Sequence, residues 1–170
     1  MERPDISSYD RNAGNATIQG QSHGRRAALS REGEHGLPDA QVRVFRGHYY
    51  HNPEFSPEEN RRIFGKCNNP NGHGHNYTLE VTVKGEVDPR SGFVLDLKEL
   101  KDTLEREVLS ALDHRFLNKE VPEFRDRIPT TENLAIAIWE RLHSKLNVAQ
   151  LHRVRVFETP DLFVDFYGEK

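Results

Sequence analysis

Two histidines and one cysteine lie close together near the middle of the chain, in the segment GKCNNPNGHGHNYTLEVTV at residues 65–83. Cys67 is the only cysteine, and His73 and His75 stand one residue apart where apolar and polar residues begin to alternate. Such alternation predicts a β-strand, in which side chains two residues apart point to the same side. The two imidazoles are therefore expected to lie within reach of one metal ion.

This histidine pair would supply part of a metal site. Zinc in catalytic sites typically takes three protein ligands and keeps a fourth position open. His48 and His51, which belong to the preceding apolar segment, are the candidates for the third ligand. A His-x-His pattern is short, however, and it also fits two surface histidines that bind no metal. The residues alone leave both interpretations open.

Cys67 lies among glycine, asparagine and proline, in a polar segment that predicts a loop. A loop position favours an exposed and reactive thiol, and Lys66 and a nearby metal would favour its thiolate form. The alternative is the common one for a lone cysteine, a small side chain buried as an apolar group.

Three further polar residues interrupt apolar patterns. Asp113 and His114 break a leucine-rich helical segment, where an imidazole either interacts with the helix dipole or does acid–base chemistry. Glu158 ends a strand in phase with Val154 and Val156. Its carboxylate therefore either reaches water at the end of the sheet or binds a ligand that offers paired N–H donors.

Composition narrows the class of protein. The 170 residues are enough for one domain with a core, and a net charge of −3 gives no general attraction to nucleic acid or to an anionic membrane. A single cysteine excludes an internal disulfide and fits a reducing compartment. The chain has no apolar run long enough for a transmembrane helix and no apolar segment typical of a secretory signal. We therefore expect a cytoplasmic protein.

The chain divides into two parts by composition. Residues 1–40 are rich in Gly, Ser, Asn and Arg and have no apolar periodicity, so they are predicted to form a disordered leader. Its acidic residues argue against a mitochondrial presequence. Residues 41–170 are predicted to form the folded domain, with strands at 42–50, 75–86, 151–158 and 162–167. Helices are predicted to follow Asp96 and Thr130. This order predicts an α+β fold with an antiparallel sheet and both helices on one face.

Over residues 42–170 the chain closely resembles the animal-type 6-pyruvoyltetrahydropterin synthases. The resemblance rests on five blocks in order: FGKCNNPNGHGHNY, GEVDPRSGFVLDLKELK, LDHRFLN, PTTENLAIAIWERL and VFETPDLFVDFYGE. It implies the tunnelling fold, a four-stranded antiparallel sheet with two helices on one face. It also implies an oligomeric barrel made by a trimer, and a homohexamer of two stacked trimers.

The resemblance also assigns roles to residues. It implies one Zn²⁺ per subunit on His73 and His75, with His48 at the position of the third ligand and His51 as a nearby rival. It implies that Cys67 is the general base. The remaining implied site residues are Asp113 and His114, which would poise the base, Glu158, which would bind the amino-pyrimidine edge of a pterin, and Thr130, Thr131 and Glu132, which would line the pocket. The first strand departs from the family pattern, because Phe45 and Arg46 are bulkier than the family norm.

The implied reaction converts 7,8-dihydroneopterin triphosphate to 6-pyruvoyltetrahydropterin and releases triphosphate, as in tetrahydrobiopterin biosynthesis. It needs neither nicotinamide nor flavin, and the substrate and further copies of the chain are the only partners expected. One alternative is a 6-carboxytetrahydropterin synthase of deazapurine biosynthesis. Such relatives place fewer residues between the cysteine and His-Gly-His than the five found here, Asn68 to Gly72. Another alternative is a non-catalytic, zinc-stabilised paralogue with a degenerate first strand.

Overall fold

The structure is a computed structural model that describes residues 16–20, 35–146 and 149–168, with side chains from residue 37 onward. The strands are β1 (Ala16–Gly20), β2 (His35–Gly36), β3 (Asp39–His48), β4 (His73–Glu86), β5 (Arg115–Phe116), β6 (Gln150–Thr159) and β7 (Leu162–Phe166). The helices are α1 (Pro57–Phe64), α2 (Leu97–Leu104), α3 (Ser110–Leu112), α4 (Leu117–Glu120) and α5 (Thr131–Leu142). Short 3-10 turns occupy Gly65–Cys67 and Pro122–Phe124, and a π-helical turn at Glu105–Leu109 joins α2 to α3.

One sheet runs in the order β1-β7-β6-β4-β3-β5, and β2 also pairs with β4. The four predicted strands form its centre as β3, β4, β6 and β7, and they pair antiparallel as expected. The predicted number of strands is wrong, because β1, β2 and β5 extend the sheet. The last of these runs parallel to β3 and pairs only at Arg46↔Arg115 and Gly47↔Phe116, too few residues to give an alternating pattern.

Two short segments of the predicted leader pair with the sheet. Ala16–Gly20 pairs with β7 from Ala16↔Phe166 to Gly20↔Leu162, and His35–Gly36 pairs with the end of β4. Backbone pairing of this kind uses N–H and C=O groups and needs no apolar pattern, so composition did not reveal it. Residues 1–15 and 21–34 of the predicted leader lie outside the described residues. The division of the chain at residue 41 stays a prediction.

The core lies between one face of the sheet and the helices. The apolar residues that alternate along β4 share one face and are all buried there, namely Tyr77, Leu79, Val81 and Val83. The same cluster contains buried side chains of α2 and of α5, such as Leu100, Leu104, Leu134 and Ile138. Both principal helices therefore cover one face of the sheet, as the sequence predicted.

Both helices begin at the predicted caps. The carboxylate of Asp96 accepts a hydrogen bond from the Lys98 N–H at 2.8 Å, and the Thr130 hydroxyl accepts one from the Asn133 N–H at 3.3 Å. Side-chain acceptors at this position satisfy N–H groups that have no partner within the helix. The cap at Thr130 brings the first turn of α5, with Thr131 and Glu132, to the end of β6.

The segment that ends α3 turns the chain onto the outer edge of β3. Asp113 adopts an extended conformation, and His114 has a positive φ of 55°. The next two residues form β5, which pairs with β3. Among the described residues, no helix is both long and apolar enough to span a bilayer.

Candidate active site

Three histidines from two neighbouring strands form a cluster on the helix-covered face of the sheet. The antiparallel register places His48 of β3 opposite His73 of β4, and His75 follows two residues later on the same face. One ring nitrogen from each histidine lies within 4.8 Å of those of the other two. His51 lies apart, with its ring stacked on Tyr49 and its Nδ1 3.3 Å from the Asn68 amide. Of the two candidates for the third ligand, His48 therefore joins the cluster.

The donor set of this cluster fits a zinc ion. The Nε2 atoms of His48 and His73 are 3.3 Å apart, close to the separation of about 3.3–3.4 Å that two nitrogens have when bound tetrahedrally at about 2.0–2.1 Å. Nε2 of His75 is buried and has no hydrogen-bond partner among the described residues. A buried polar atom is rarely left without a partner, so this nitrogen suits a bound ion.

The electrostatics of the cluster favour neutral rings, the form that binds metal. Burial, followed by the proximity of His73 and His75, lowers the pKa of His48 to about 3. Burial and His75 also lower the pKa of His73. Two charged imidazoles at this distance would repel each other, whereas neutral rings can direct lone pairs at one cation.

Two tyrosines hold the ring of His48. The hydroxyl of fully buried Tyr77 lies 3.2 Å from His48 Nδ1, on the opposite side of the ring from His73. The ring of Tyr50 packs against the His48 ring with their centroids 4.8 Å apart. A ligand histidine whose second nitrogen is hydrogen-bonded has a fixed tautomer and ring orientation.

Arg46 lies on β3 directly opposite His75 of β4, on the same face of the sheet as the three histidines. Its side chain is fully buried, and none of its three guanidinium nitrogens has a hydrogen-bond partner in the described part of the chain. The guanidinium lies 5.6 Å from the centre of the Tyr77 ring. Burial lowers the pKa of Arg46 to about 10. The bulky residue noted in the first strand thus places an unpaired charge beside the cluster without displacing His48.

A cavity of about 450 Å³ adjoins the cluster. Its polar lining residues are Cys67, Thr130, Thr131, Glu132 and Glu158, all of which the sequence singled out. Sequence reasoning missed the remaining lining residues: Tyr50, Ile63, Phe64, Leu162, Phe163 and Val164. Tyr50 carried a usable signal, because it follows His48 by two residues. The others lie on α1 and β7, whose approach to the cavity depends on tertiary packing.

Glu158 lies between the cavity and the histidines. Its Oε2 accepts a hydrogen bond from the Thr131 hydroxyl at 2.5 Å. Its Oε1 is 3.4 Å from Nε2 of His75, yet that nitrogen makes no hydrogen bond of acceptable geometry with any residue that the structure describes. The carboxylate is therefore oriented through one oxygen and keeps the capacity to accept hydrogen bonds from a ligand through the other.

Cys67 ends the 3-10 turn after α1 and is half-buried. Its carbonyl accepts a hydrogen bond from the Tyr50 N–H at 2.8 Å, which fixes the loop beside the cluster. In the chain alone, burial and the Glu158 carboxylate raise the pKa of the Cys67 thiol. The prediction that Lys66 would favour the thiolate is wrong for this environment, because the nearby charge that acts on the thiol is negative.

Asp113 and His114 lie at a different place, on the outer edge of β3. Asp113 Oδ1 accepts a hydrogen bond from the Phe45 N–H at 2.8 Å, and the His114 N–H donates to the Phe45 carbonyl at 2.8 Å. The His114 ring is largely exposed, and its Nδ1 is 2.8 Å from Asp113 Oδ2. Within the described part of the chain, no hydrogen bond, ion pair or ring contact joins either residue to Cys67. The structure thus brings Cys67 to the cavity but does not bring its predicted partners there.

An α+β protein with three clustered histidines beside a cavity that holds a thiol and a carboxylate has the features of a metalloenzyme. A family profile described as 6-pyruvoyl tetrahydropterin synthase matches residues 42–169. The chain belongs to the 6-pyruvoyl tetrahydropterin synthase family.

Individual relatives agree with this assignment. A human 6-pyruvoyl tetrahydrobiopterin synthase is 48% identical over 122 residues, which are 72% of this chain and 84% of the human protein. A Drosophila melanogaster protein of the same name is 44% identical over 122 residues, 71% of this chain and 73% of its own. The solved Caenorhabditis elegans 6-pyruvoyl tetrahydropterin synthase superposes with a TM-score of 0.75 at 40% identity. It covers 81% of this chain and 98% of the nematode chain.

Proposed function

We propose that the protein is a zinc-dependent lyase that converts 7,8-dihydroneopterin triphosphate to 6-pyruvoyltetrahydropterin and releases triphosphate, a step in tetrahydrobiopterin biosynthesis. The proposal rests on the arrangement of side chains at the site of this family member. The cluster of His48, His73 and His75 lies beside a cavity that contains both Cys67 and Glu158. A metal, a proton acceptor and a pterin anchor would then act on one bound molecule.

We assign one Zn²⁺ per subunit to the three histidines. When bound, zinc would act as a Lewis acid that stabilises negative charge on the oxygens of the substrate side chain. His48 contributes from β3 and the other two from β4, so the pairing of these strands sets their spacing. Because the three rings are neutral, they do not offset the positive charge of the ion.

Glu158 is the proposed anchor for the amino-pyrimidine edge of the pterin. That edge offers neighbouring N–H donors, and a carboxylate accepts two such bonds side by side. Thr131 already donates to Oε2, which holds the plane of the carboxylate before a ligand arrives. Thr130 and Glu132 line the same cavity and are assigned to substrate binding with Thr131.

Cys67 is the proposed general base. The reaction removes protons from carbons that carry hydroxyl groups, and only the thiolate can accept them. Since burial and Glu158 disfavour the thiolate in the single chain, further positive charge is required. A bound metal would supply part of it, and we assign the rest to His114 of a neighbouring subunit, with Asp113 orienting the His114 ring at 2.8 Å from its Nδ1.

This assignment implies an assembly. We propose a homohexamer made of two trimers, each closing its sheets into a barrel, with sites shared between subunits. Among the described residues, the outer edge of β3 pairs only through Arg46 and Gly47, with β5. The residues of β3 before Phe45 keep edge groups that another strand can use, and barrels remove such edges. His114 lies on that edge with its ring exposed, where a second chain can approach it.

The proposed partners are the pterin triphosphate and further copies of the chain. We infer no nicotinamide, flavin, nucleic acid or membrane partner, because the reaction is an internal rearrangement and the net charge of −3 is small. The single cysteine supports a reducing compartment, the cytoplasm.

Identification of the pterin product tests the proposed function. The zinc-loaded protein is incubated with 7,8-dihydroneopterin triphosphate, and the product is identified by mass spectrometry under anaerobic conditions. 6-Pyruvoyltetrahydropterin is expected. 6-Carboxytetrahydropterin would assign the chain to the deazapurine branch of the family. Unchanged substrate in the presence of bound zinc would indicate a non-catalytic paralogue.

A further inference from the structure

The guanidinium of Arg46 is a buried charge beside the histidine cluster that the proposed reaction does not use. Arg46 lies opposite His75 in the pairing of β3 with β4, and His48 follows it two residues later on the same face. Its side chain is fully buried. Side chains directly opposite each other in an antiparallel pair have Cβ atoms about 4.5–5.5 Å apart. The Arg46 side chain therefore starts as a direct neighbour of one histidine of the cluster.

The ring of Tyr77 adjoins both the guanidinium and the cluster. The guanidinium is 5.6 Å from the centre of this ring, and the centres of the His75 and His48 rings are 5.6 Å and 6.1 Å from the same point. Tyr77 is itself fully buried. Charges interact more strongly in such surroundings than in water, because the effective dielectric constant is lower. The charge of Arg46 therefore acts on any ion that occupies the cluster.

The structure shows no group that neutralises this charge. None of the guanidinium nitrogens of Arg46 has a hydrogen-bond partner among the described residues. Arg141 differs, because its guanidinium is paired with the Glu123 carboxylate at 2.5 Å and donates to the Glu107 carbonyl at 3.2 Å. An arginine side chain keeps its charge at neutral pH. Arg46 therefore adds a full positive charge to the surroundings of the cluster.

We propose that Arg46 sets the charge preference of the metal site: its unpaired charge weakens the binding of Zn²⁺ and strengthens the binding of an anionic ligand to the ion. The inference rests on the proposed function, since it takes zinc as the ion at the cluster. A fixed positive charge repels a cation and attracts an anion at the same place. Dissolved salt screens a buried charge poorly. The site would bind its metal less tightly and stabilise negative charge on substrate oxygens more strongly.

The zinc affinity of Arg46→Met tests the first effect. Methionine fills much of the same space with an unbranched apolar side chain and removes the charge. The dissociation constant for zinc is measured by competition with a chromophoric chelator. We expect Arg46→Met to bind zinc on the order of 10–100-fold more tightly than the wild type. Arg46→Gln is also neutral but polar, and it should tighten zinc binding in the same way.

Azide binding to the cobalt-substituted protein tests the second effect. Co²⁺ replaces Zn²⁺ because its visible absorption reports the geometry of the site and the arrival of a further ligand. Azide carries one negative charge, half the magnitude of the charge on the metal. Arg46→Met should therefore weaken azide binding by about 3–10-fold at saturating Co²⁺. Without azide, the cobalt spectra of the wild type and the variant should agree, since the three histidines are unchanged.

The opposite signs of the two effects separate charge from packing. A change in packing that loosened or tightened the whole site would move the metal and azide affinities in one direction. Arg43→Met is the matched control, because Arg43 is exposed on the opposite face of the same strand and water screens its charge. Both affinities of this variant should equal those of the wild type.

Equal zinc affinities in the wild type and in Arg46→Met would overturn the inference. Zinc and azide affinities that change in the same direction would overturn it as well. In both cases the metal site and the proposed function would stand. A wild type that binds no zinc would remove the assignment of the metal to the three histidines, and the role of Arg46 with it.

Discussion

Phe45 and Asp113 are joined across the outer edge of β3, where the Phe45 N–H donates to Asp113 Oδ1 at 2.8 Å. The adjacent His114 N–H returns a hydrogen bond to the Phe45 carbonyl. These bonds fix the acid–imidazole pair on the edge of the sheet, whereas Cys67 lines the cavity. If both act on one substrate, the pair and the thiol come from different subunits.

Two inactive variants should therefore complement each other. Cys67→Ala removes the base and His114→Ala removes its partner, so each alone should lose about 10²–10⁴-fold in turnover. In hexamers that contain both variants, some sites combine an intact Cys67 with an intact His114 from the neighbouring chain. Co-expression should restore a measurable fraction of wild-type turnover, and light scattering should report a hexamer. Mixed hexamers without activity, or a stable monomer at micromolar concentration, would contradict shared sites.

The histidine cluster predicts which substitutions remove zinc. The wild type should contain one zinc ion per chain, and His48→Ala or His73→Ala should reduce it to background, because only two ligands remain. His51→Ala is the matched control, since His51 contacts Tyr49 and Asn68 rather than the cluster. Elemental analysis of the purified variants measures the outcome. Zinc retained in His48→Ala and lost in His51→Ala would mean that the first strand supplies the other histidine.

Arg46 predicts a stabilising substitution. A pKa of about 10 in place of 12.5 corresponds to a cost of about 3 kcal/mol for keeping the guanidinium charged in the folded state. Arg46→Met fills a similar volume without the charge, so it should raise the free energy of unfolding by about 1–4 kcal/mol. The stabilisation should shrink as pH rises through 10, because the wild-type side chain then loses its charge in the folded protein.

Urea unfolding of the two proteins at neutral pH and above 10 measures this difference. Arg43→Met is the control, because Arg43 is exposed on the opposite face of the same strand and should change stability little. Destabilisation by Arg46→Met at neutral pH would mean that the guanidinium has a partner in the assembled protein.

The sequence predicted most of what is local or periodic. His73 and His75 share a face because a strand alternates, and Asp96 and Thr130 cap helices because their side chains satisfy free N–H groups. The resemblance favoured His48 over His51 as the third ligand, and the position of His48 opposite His73 follows from the antiparallel pairing of β3 and β4. These features depend on the local geometry of the backbone, which short sequence patterns predict well.

The features that the sequence did not predict depend on tertiary contacts. Within one chain the turn at His114 directs Asp113 and His114 to Phe45, a position at the sheet edge that short patterns do not reveal. Helical spacing predicts Leu97 on one face with Leu100 and Leu104, yet Leu97 is 53% exposed whereas the other two are fully buried. The raised pKa of Cys67 likewise comes from burial and from Glu158, which is distant in sequence and close in the fold.

The thiol of Cys67 gives a prediction about pH. Burial and Glu158 raise its pKa, so in the zinc-free protein the thiolate should be scarce at neutral pH and should form only above the ordinary range of a cysteine. The rate of alkylation by iodoacetamide should follow this titration, because the thiolate is the nucleophile. Glu158→Gln removes the negative charge and should move the titration to lower pH. Glu132→Gln is the control, since Glu132 does not act on the thiol. Identical profiles for Glu158→Gln and the wild type would contradict the electrostatic contact.

The proposed conversion is tested most directly by the stoichiometry of triphosphate release against pterin product, with wild type and Cys67→Ala measured side by side at equal zinc content. The wild type should release one triphosphate for each 6-pyruvoyltetrahydropterin formed. Cys67→Ala should keep its zinc and lose about 10²–10⁴-fold in rate. Turnover of Cys67→Ala within a few-fold of the wild type, or triphosphate release without the pyruvoyl product, would contradict the assignment of the site.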